Sequence, residues 1–236
     1  HDAGVKAEDR PQIGRGQVVA AVAPPAEVEL RKRFMQDLEP LDAELFEQTL
    51  FMLKGLPELG VLLQVEKELP ALVRKLFGEH GDLFREDDLA QWQKAETRLR
   101  EALTDYARAA RSTYQGRLFA EDALQGLRMI DHCREVFDVV VMNPPFGEFS
   151  ESQRDFARDT FTSGSHDILT AFVEVAIAKL KQNGLLGAIT SRTSFFAPTT
   201  TSWREEVILE HQLRAWIDLG DGVLDDAMVE TCAYVV

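Results

Sequence analysis

The chain has 236 residues, of which 45% are hydrophobic, and its formal net charge is −14. That length and apolar content are enough for a real hydrophobic core, in one large domain or in one domain with an appendage. The acidic charge argues against a general nucleic-acid-binding surface, which should be basic. Residues 137–236 are acidic as well, with 15 Asp and Glu against 7 Lys and Arg.

The two cysteines, Cys133 and Cys232, form no metal-binding or disulfide pattern. The sequence therefore predicts no metal site, two buried packing residues and a reducing cytoplasm. No apolar run reaches the length of a membrane span, and no signal peptide is visible. We expect a cytoplasmic protein that does not enter a membrane.

The apolar run at residues 16–22, ahead of Pro24 and Pro25, predicts the first strand. The glycines at 14 and 16 invite comparison with a phosphate-binding loop, but they precede the run instead of following it. Turn glycines are therefore the better interpretation.

A long helical excursion follows this strand. Residues 27–54 carry apolar side chains at helical spacing, and Pro40 is expected to divide them into two helices. A further helical stretch at 65–76 is expected to break or restart at Pro70, and another helix is predicted at 87–111. Because such an excursion is far longer than an ordinary βα connection, it predicts an inserted helical subdomain.

The strongest functional signal is the stretch at 137–147. Its β-branched run predicts a buried parallel strand, after which come Asn143, Pro144 and Pro145. Two prolines cannot continue a sheet, because they supply no N–H and fix φ. We therefore expect a rigid loop, residues 143–147, at the carboxyl end of the strand, where open α/β sheets bind ligands. We call these residues the diproline loop.

The diproline loop suits the capture of a flat amine. The side-chain oxygen of Asn143 and the main-chain oxygen of Pro144 can accept hydrogen bonds from both amine hydrogens, which localises the nitrogen lone pair as the amine attacks. Phe146 can stack on the ring that carries the amine. The alternative is a strand end with an ordinary proline turn, in which Asn143 only satisfies backbone groups.

The rest of the chain predicts further sheet elements. Residues 147–165 are polar, which indicates a mobile lid that contains a short helix around 153–160. Asp167 can cap an apolar helix that ends at Gly184. Beyond it the sequence predicts strands at 187–190, 213–219 and 230–236, a rim loop at 191–201 and a helix at 203–210.

The sequence Val-Val-Val-Met-Asn-Pro-Pro-Phe at 139–146 resembles the catalytic motif of S-adenosylmethionine-dependent amino-methyltransferases, above all DNA adenine-N6 methyltransferases. Segments at 167–172, 183–191 and 219–227 fall in the family's order. The sequence is most similar to the large methylases of type IIG restriction–modification systems and of the related BREX and DISARM phage-defence systems. Related large methylases also carry a helical insertion.

This resemblance implies an α/β fold, a partial Rossmann-like methyltransferase sheet with an inserted helical subdomain. We accordingly divide the chain into an N-terminal segment with one strand at 1–26, the helical subdomain at 27–115 and the catalytic part at 116–236. The resemblance also implies that Asn143, Pro144, Pro145 and Phe146 are the catalytic residues.

Further site residues are implied by the same resemblance. The helix after the loop borders the cofactor's adenine in the family, which makes Asp167, Ile168 and Leu169 candidate cofactor contacts, with ordinary core packing as the alternative for the two apolar residues. The loop between the family's last two strands supplies an aromatic side chain to the other face of a flipped base. Leu224 occupies that position here and does not stack well, so Phe195 or Phe196 is the candidate substitute.

Methyltransferases of this fold bind S-adenosylmethionine on a glycine-rich loop after the first strand, and no such loop follows a strand ahead of Asn143. We therefore expect the chain to start after the first two strands, to be incomplete and to be inactive alone. Contacts with double-stranded DNA are expected largely outside this chain, and other defence-system subunits are candidate partners.

Three functions remain open at this point. The leading prediction is the catalytic portion of a DNA adenine-N6 methyltransferase of a restriction–modification or phage-defence system, which acts on a flipped adenine. Protein glutamine-N5 methylation is an alternative, because that family uses a similar loop on an amide, although its members typically lack a long helical insertion. The third is a non-catalytic interaction module that has kept the fold.

Overall fold

The structure, a computed structural model, describes residues 28–77, 86–110, 128–223 and 229–236. The predicted strand at 16–22 and the candidate residue Leu224 lie outside the described residues. Within the described ranges, no helix combines the length and the apolar character that a membrane crossing requires.

The first part of the described chain is helical. Its elements are α1 (Val28–Gln36), α2 (Pro40–Leu53), α3 (Leu56–Leu59), a 3-10 turn (Gly60–Leu63), α4 (Val65–Phe77), α5 (Glu86–Ala110) and α6 (128–134). The predicted division at Pro40 is confirmed, because this proline begins α2, where its missing N–H leaves no helical bond unmade. The predicted break at Pro70 is wrong, since α4 runs through it. Burial of Leu69 and Val73 on one face of α4 outweighs the single backbone bond that the proline removes.

The helices α1 to α6, which we call the helical unit, share one hydrophobic core. Phe46 and Tyr106 are fully buried in it, and their rings meet edge to face with centroids 5.4 Å apart. Leu99 and Leu103 are buried with Tyr106 on one side of α5, as the helical spacing predicts. Cys133 of α6 closes the same core, so the predicted role of this cysteine as a buried packing residue is confirmed.

The second part of the chain forms a four-stranded sheet in the order β1-β2-β4-β3. Its elements are β1 (Phe137–Met142), α7 (Arg154–Thr160), α8 (Ile168–Ala178), β2 (Leu180–Ser191), α9 (Thr201–Trp203) continuing into a π-helix (Arg204–Leu209), β3 (Ala215–Gly220) and β4 (Thr231–Val235). The strands β1 and β2 are parallel, and α8 connects them, which confirms the predicted strand–helix–strand unit. The other two pairs are antiparallel.

The boundary between α8 and β2 differs from the prediction. We expected the helix to end at Gly184, but α8 ends at Ala178 and β2 already begins at Leu180. Asn183, with φ of 65°, and Gly184 lie in an irregular turn of the strand where the register with β1 shifts. A Cβ on Gly184 would lie 3.0–3.1 Å from three main-chain oxygens, two of which belong to β1. The glycine therefore permits close backbone approach instead of capping a helix.

The two faces of the sheet have different surroundings. On one face, α8 and the segment 201–209 cover a buried cluster that includes Leu186, Trp203 and Tyr234. On the other face, Val139 and Val141 are 58% and 81% exposed among the described residues. The strand β1 is parallel to β2 as predicted, but the prediction that it is buried is wrong, because it lies at the edge of the described sheet with one face uncovered. The carboxyl ends of β1 and β2 lie at the same edge of the sheet, and the diproline loop follows β1 there.

Candidate functional site

Asn143 stands directly after the last residue of β1, and its side chain is exposed. Within the described residues this side chain makes no hydrogen bond. The alternative in which Asn143 serves only to satisfy backbone groups is therefore not what the structure shows. Pro144 is buried and Pro145 is exposed, so the loop is anchored by one proline while Asn143 stays available to a ligand.

A cavity of about 530 Å³ lies between the diproline loop and the rim loop that follows β2. Phe146 and Leu169 give it an apolar wall, and hydroxyl groups give it a polar one. The hydroxyl-bearing residues are Ser191, Thr193, Ser194, Thr199 and Thr200. An apolar surface with a few polar groups beside it suits a flat ring with a polar edge.

Asn143 borders a different cavity, of about 410 Å³, on the exposed face of the sheet beside Val141 and Ile189. The structure thus brings the predicted catalytic residues together on one short loop but does not direct them into one cavity. Phe146 faces one side of the loop, and Asn143 faces the other.

The start of α8 is bonded to the diproline loop. The Ile168 N–H donates to the main-chain oxygen of Gly147 at 3.1 Å. Asp167 caps the helix, as predicted, and accepts a hydrogen bond from the Thr170 N–H at 2.7 Å. Leu169 is only 2% exposed and reaches the 530 Å³ cavity. The three candidate cofactor contacts therefore lie beside the loop, with one Asp167 oxygen engaged in capping.

The segment predicted as a mobile lid is fastened to α8 at its far end. It contains the expected short helix, α7. The carboxylate of Glu174 accepts hydrogen bonds from three successive main-chain N–H groups, those of Thr162 at 3.3 Å, Ser163 at 3.4 Å and Gly164 at 2.8 Å. A carboxylate that binds several N–H groups forms strong bonds. This arrangement argues against a lid that moves at residues 162–164.

The two neighbouring phenylalanines of the rim loop have opposite environments. Phe195 packs edge to face against Trp203, Trp216 and Tyr234, with centroids 5.7, 5.9 and 5.0 Å away, so it is a core residue. Phe196 is 66% exposed. Its ring meets Trp216 edge to face with centroids 6.2 Å apart, so Phe196 is the more exposed of the two aromatic side chains, although it does not line the 530 Å³ cavity.

Arg192, which follows β2, forms ion pairs with acidic residues at β3 and just before β4. The sequence did not reveal this role. The Arg192 guanidinium donates to Asp218 of β3 at 2.8 Å and pairs with Glu230, which precedes β4. The hydrogen bond from Arg192 lowers the pKa of the Asp218 carboxyl below its usual value. The guanidinium also lies 6.0 Å from the Phe196 ring. An arginine directly after a strand, with acids at two other strand ends, was the available signal.

The comparison with known families decides what this rim belongs to. The sequence matches the family described as Eco57I restriction-modification methylase over residues 32–223. The chain belongs to this family. The predicted restriction–modification methylase and its α/β fold are therefore confirmed, and S-adenosylmethionine is the cofactor of this methylase.

Other comparisons add little to the family assignment. No curated protein matches the chain significantly. A solved structure described as a class I S-adenosylmethionine-dependent methyltransferase, from Listeria monocytogenes, shares 11% identity over 88% of this chain and 87% of that chain, with a TM-score of 0.35. A likeness at that level carries no argument about this chain.

The described residues fit one end of the cofactor. Leu169, with Asp167 beside it in the lining of the same cavity, offers an apolar surface suited to an adenine ring. No strand precedes β1 in the described part of the chain, so the glycine-rich loop expected for this fold is not among the described residues.

Proposed function

We propose that this methylase transfers a methyl group to N6 of adenine in DNA, as part of a restriction–modification or related phage-defence system. One observation carries the proposal: Asn143 is exposed at the carboxyl end of a parallel strand, in a loop stiffened by two prolines, and its side chain bonds to no other residue that the structure describes. Family membership supplies the restriction–modification context.

The proposed chemistry follows from the acceptors on the loop. A flipped adenine donates its two N6 hydrogens to the Asn143 side-chain oxygen and to the Pro144 main-chain oxygen. Asn143 and Pro144 would direct the N6 lone pair toward the methyl group that bound S-adenosylmethionine would supply; the N–C bond would form as the S–C bond breaks, and S-adenosylhomocysteine would leave. One N6 proton then leaves to solvent. Phe146 stacks on one face of the base, and we assign Phe196 to contact with the DNA substrate.

The proposal also includes how DNA and cofactor are held. The acidic surface of residues 137–236 supports a DNA-binding region that lies largely outside this chain, and other subunits of the defence system are candidate partners. Asp167, Ile168 and Leu169 are proposed to border the cofactor's adenine. Because the sequence shows no glycine-rich loop after a predicted strand ahead of Asn143, we expect the 236-residue chain alone to transfer no methyl group to duplex DNA. Radioactive transfer by this chain alone would refute that expectation.

The test compares two asparagine variants in cells that carry the methylase gene. Asn143→Ala removes the proposed acceptor and should lower N6-methyladenine in cellular DNA by about 100-fold or more, the usual effect of losing one such group. The matched control is Asn183→Gly, in the irregular turn of β2, where glycine accepts the positive φ. It should leave methylation unchanged. If the methylase instead produced N4-methylcytosine in DNA, or methylated glutamine in a protein, its substrate would be cytosine or glutamine and not adenine.

A further inference from the structure

The helical unit approaches the sheet through the 3-10 turn between α3 and α4, which we call the tip. Gly60 begins the 3-10 turn and Gln64 follows it, with φ of 53° and 48°, so the chain changes direction at both ends of the turn. The tip presents Leu62, which is 1% exposed. Leu62 is thus buried although it lies outside the core of the helical unit.

Leu62 is buried in a cluster that belongs to the catalytic part of the chain. The other buried members are Phe149, Ala157, Phe161, Ala171 and Val175. Phe149 follows Phe146 by three residues, is 3% exposed and stacks on Phe161 with centroids 6.2 Å apart. The chain that leaves the diproline loop is therefore anchored in the same apolar cluster as the tip.

A partly buried ion pair fixes the tip from a second direction. Glu66, in the first turn of α4, binds the Lys179 ammonium at 2.5 Å, and their side chains are 10% and 18% exposed. Lys179 also donates to the main-chain oxygen of Cys133 in α6. Because Lys179 caps the end of α8, these bonds connect the helical unit to the C-terminal end of α8. Leu62 packs with residues in the middle turns of the same helix.

We propose that the tip supports the diproline loop and that Leu62 is a positioning residue for methyl transfer. Leu62 supports Phe149 and α8, and these two hold the loop from its two sides, through the chain after Phe146 and through the bond from Ile168 to Gly147. The inserted helical unit then serves to fix the geometry of the catalytic loop. The effect on catalysis rests on the proposed function, whereas the support of the diproline loop by the tip concerns the structure alone.

Hydrogen exchange of the 236-residue chain tests whether the tip supports the diproline loop, and this measurement needs no enzymatic activity. Leu62→Ala is compared with Leu50→Ala, which truncates an equally buried leucine, 2% exposed, in the core of the helical unit. Both variants should lower Tm. Only Leu62→Ala should speed exchange of the Ile168 N–H, by about tenfold or more, because that amide bonds to Gly147. Equal acceleration in both variants, or none in either, would overturn the proposal.

Two further variants keep the test decisive. Leu62→Met nearly conserves side-chain volume and should restore slow exchange at Ile168. If Leu62→Ala does not fold, Leu62→Val takes its place and should give a smaller acceleration in the same amide.

Kinetics of the intact methylase then separate the two proposals. Leu62→Ala should lower kcat while the KM for DNA stays near that of the wild type, since the tip is not proposed to touch substrate. A raised KM with unchanged kcat would contradict the positioning role. A wild-type enzyme that does not methylate adenine would refute the proposed function. The hydrogen-exchange results would still decide whether the tip supports the diproline loop.

Discussion

Gly164 is the position at which the turn before α8 depends most on the absence of a side chain. Its N–H donates to Glu174 at 2.8 Å. A Cβ added there would lie 2.9 Å from the main-chain N and Cα of Ala171 and 2.9 Å from the Glu174 carboxylate. The backbone of a helix cannot move aside as the end of a flexible side chain can. Gly164→Ala should therefore displace either the turn or the carboxylate.

Two costs combine in this variant. Inserting a methyl group into a packed site costs about 1–3 kcal/mol. Weakening the bonds between Glu174 and the three main-chain N–H groups adds about 1–3 kcal/mol for donors left unsatisfied. We expect Gly164→Ala to lower the free energy of unfolding by about 2–6 kcal/mol. The matched control is Gly187→Ala in β2, where no atom lies within 4 Å of the new Cβ. There alanine should be neutral or stabilise by about 0.4–1 kcal/mol.

Urea unfolding measures both variants. The free energy of unfolding follows from the midpoint and the slope m, and an unchanged m shows that the two-state comparison holds. A wild-type midpoint for Gly164→Ala would refute the close packing at this turn. An equal loss in Gly187→Ala would show that the effect belongs to any alanine in this part of the chain and not to the contact with α8.

Three other predictions concern separate parts of the molecule. Phe196→Ala should raise the KM for DNA about 5- to 100-fold, the range for losing one stacking contact, whereas Phe51→Ala, an exposed phenylalanine of the helical unit, should not. The hydrogen bond from Arg134, at 2.5 Å, lowers the pKa of Glu96, so this carboxylate stabilises the fold above its unfolded pKa of about 4.3, and the contribution is lost as pH falls through the folded value. Glu96→Gln should accordingly lower Tm at neutral pH, with the difference from wild type disappearing in acid; a difference that persists in acid would contradict this. Burial raises the pKa of the Cys133 thiol to about 11, so iodoacetamide should label it far more slowly in the native protein than in urea at mildly alkaline pH; equal rates would show that it is accessible.

Local patterns in the sequence predicted the elements that carry the loop. The valine run before Asn143 and the two prolines after it fix a strand end whatever the rest of the chain does. Asp167 and the apolar residues that follow it likewise define the start of α8, since a cap and a helical periodicity are both short-range signals. The strand end and the start of α8 matched the structure because tertiary contacts did not override them. The predicted burial of β1 was wrong, since burial depends on which elements cover the strand and not on its own residues.

Positions decided by distant contacts were not predictable. Asn183 and Gly184 have the composition of a helix end, but the close approach of β1 makes them an irregular turn within a strand. Phe195 and Phe196 are adjacent and chemically identical, so only the packing of the rim loop reveals which of them packs against the core. Leu62 is more than 80 residues away from Phe149 in the chain, and no periodic pattern connects the two.

The structure separates two tasks that the proposed reaction requires. In the proposed reaction Asn143 and Pro144 bind an NH₂ group, and their oxygens would serve a cytosine amine or a glutamine amide equally well. Discrimination among these substrates must then come from surfaces that touch the rest of the molecule. Phe146 supplies such a surface on the same loop, because an aromatic ring gains from stacking on it in a way that a flexible amide side chain does not. In the proposed reaction the two oxygens therefore provide the reactivity, and Phe146 provides the preference for a ring over an amide side chain.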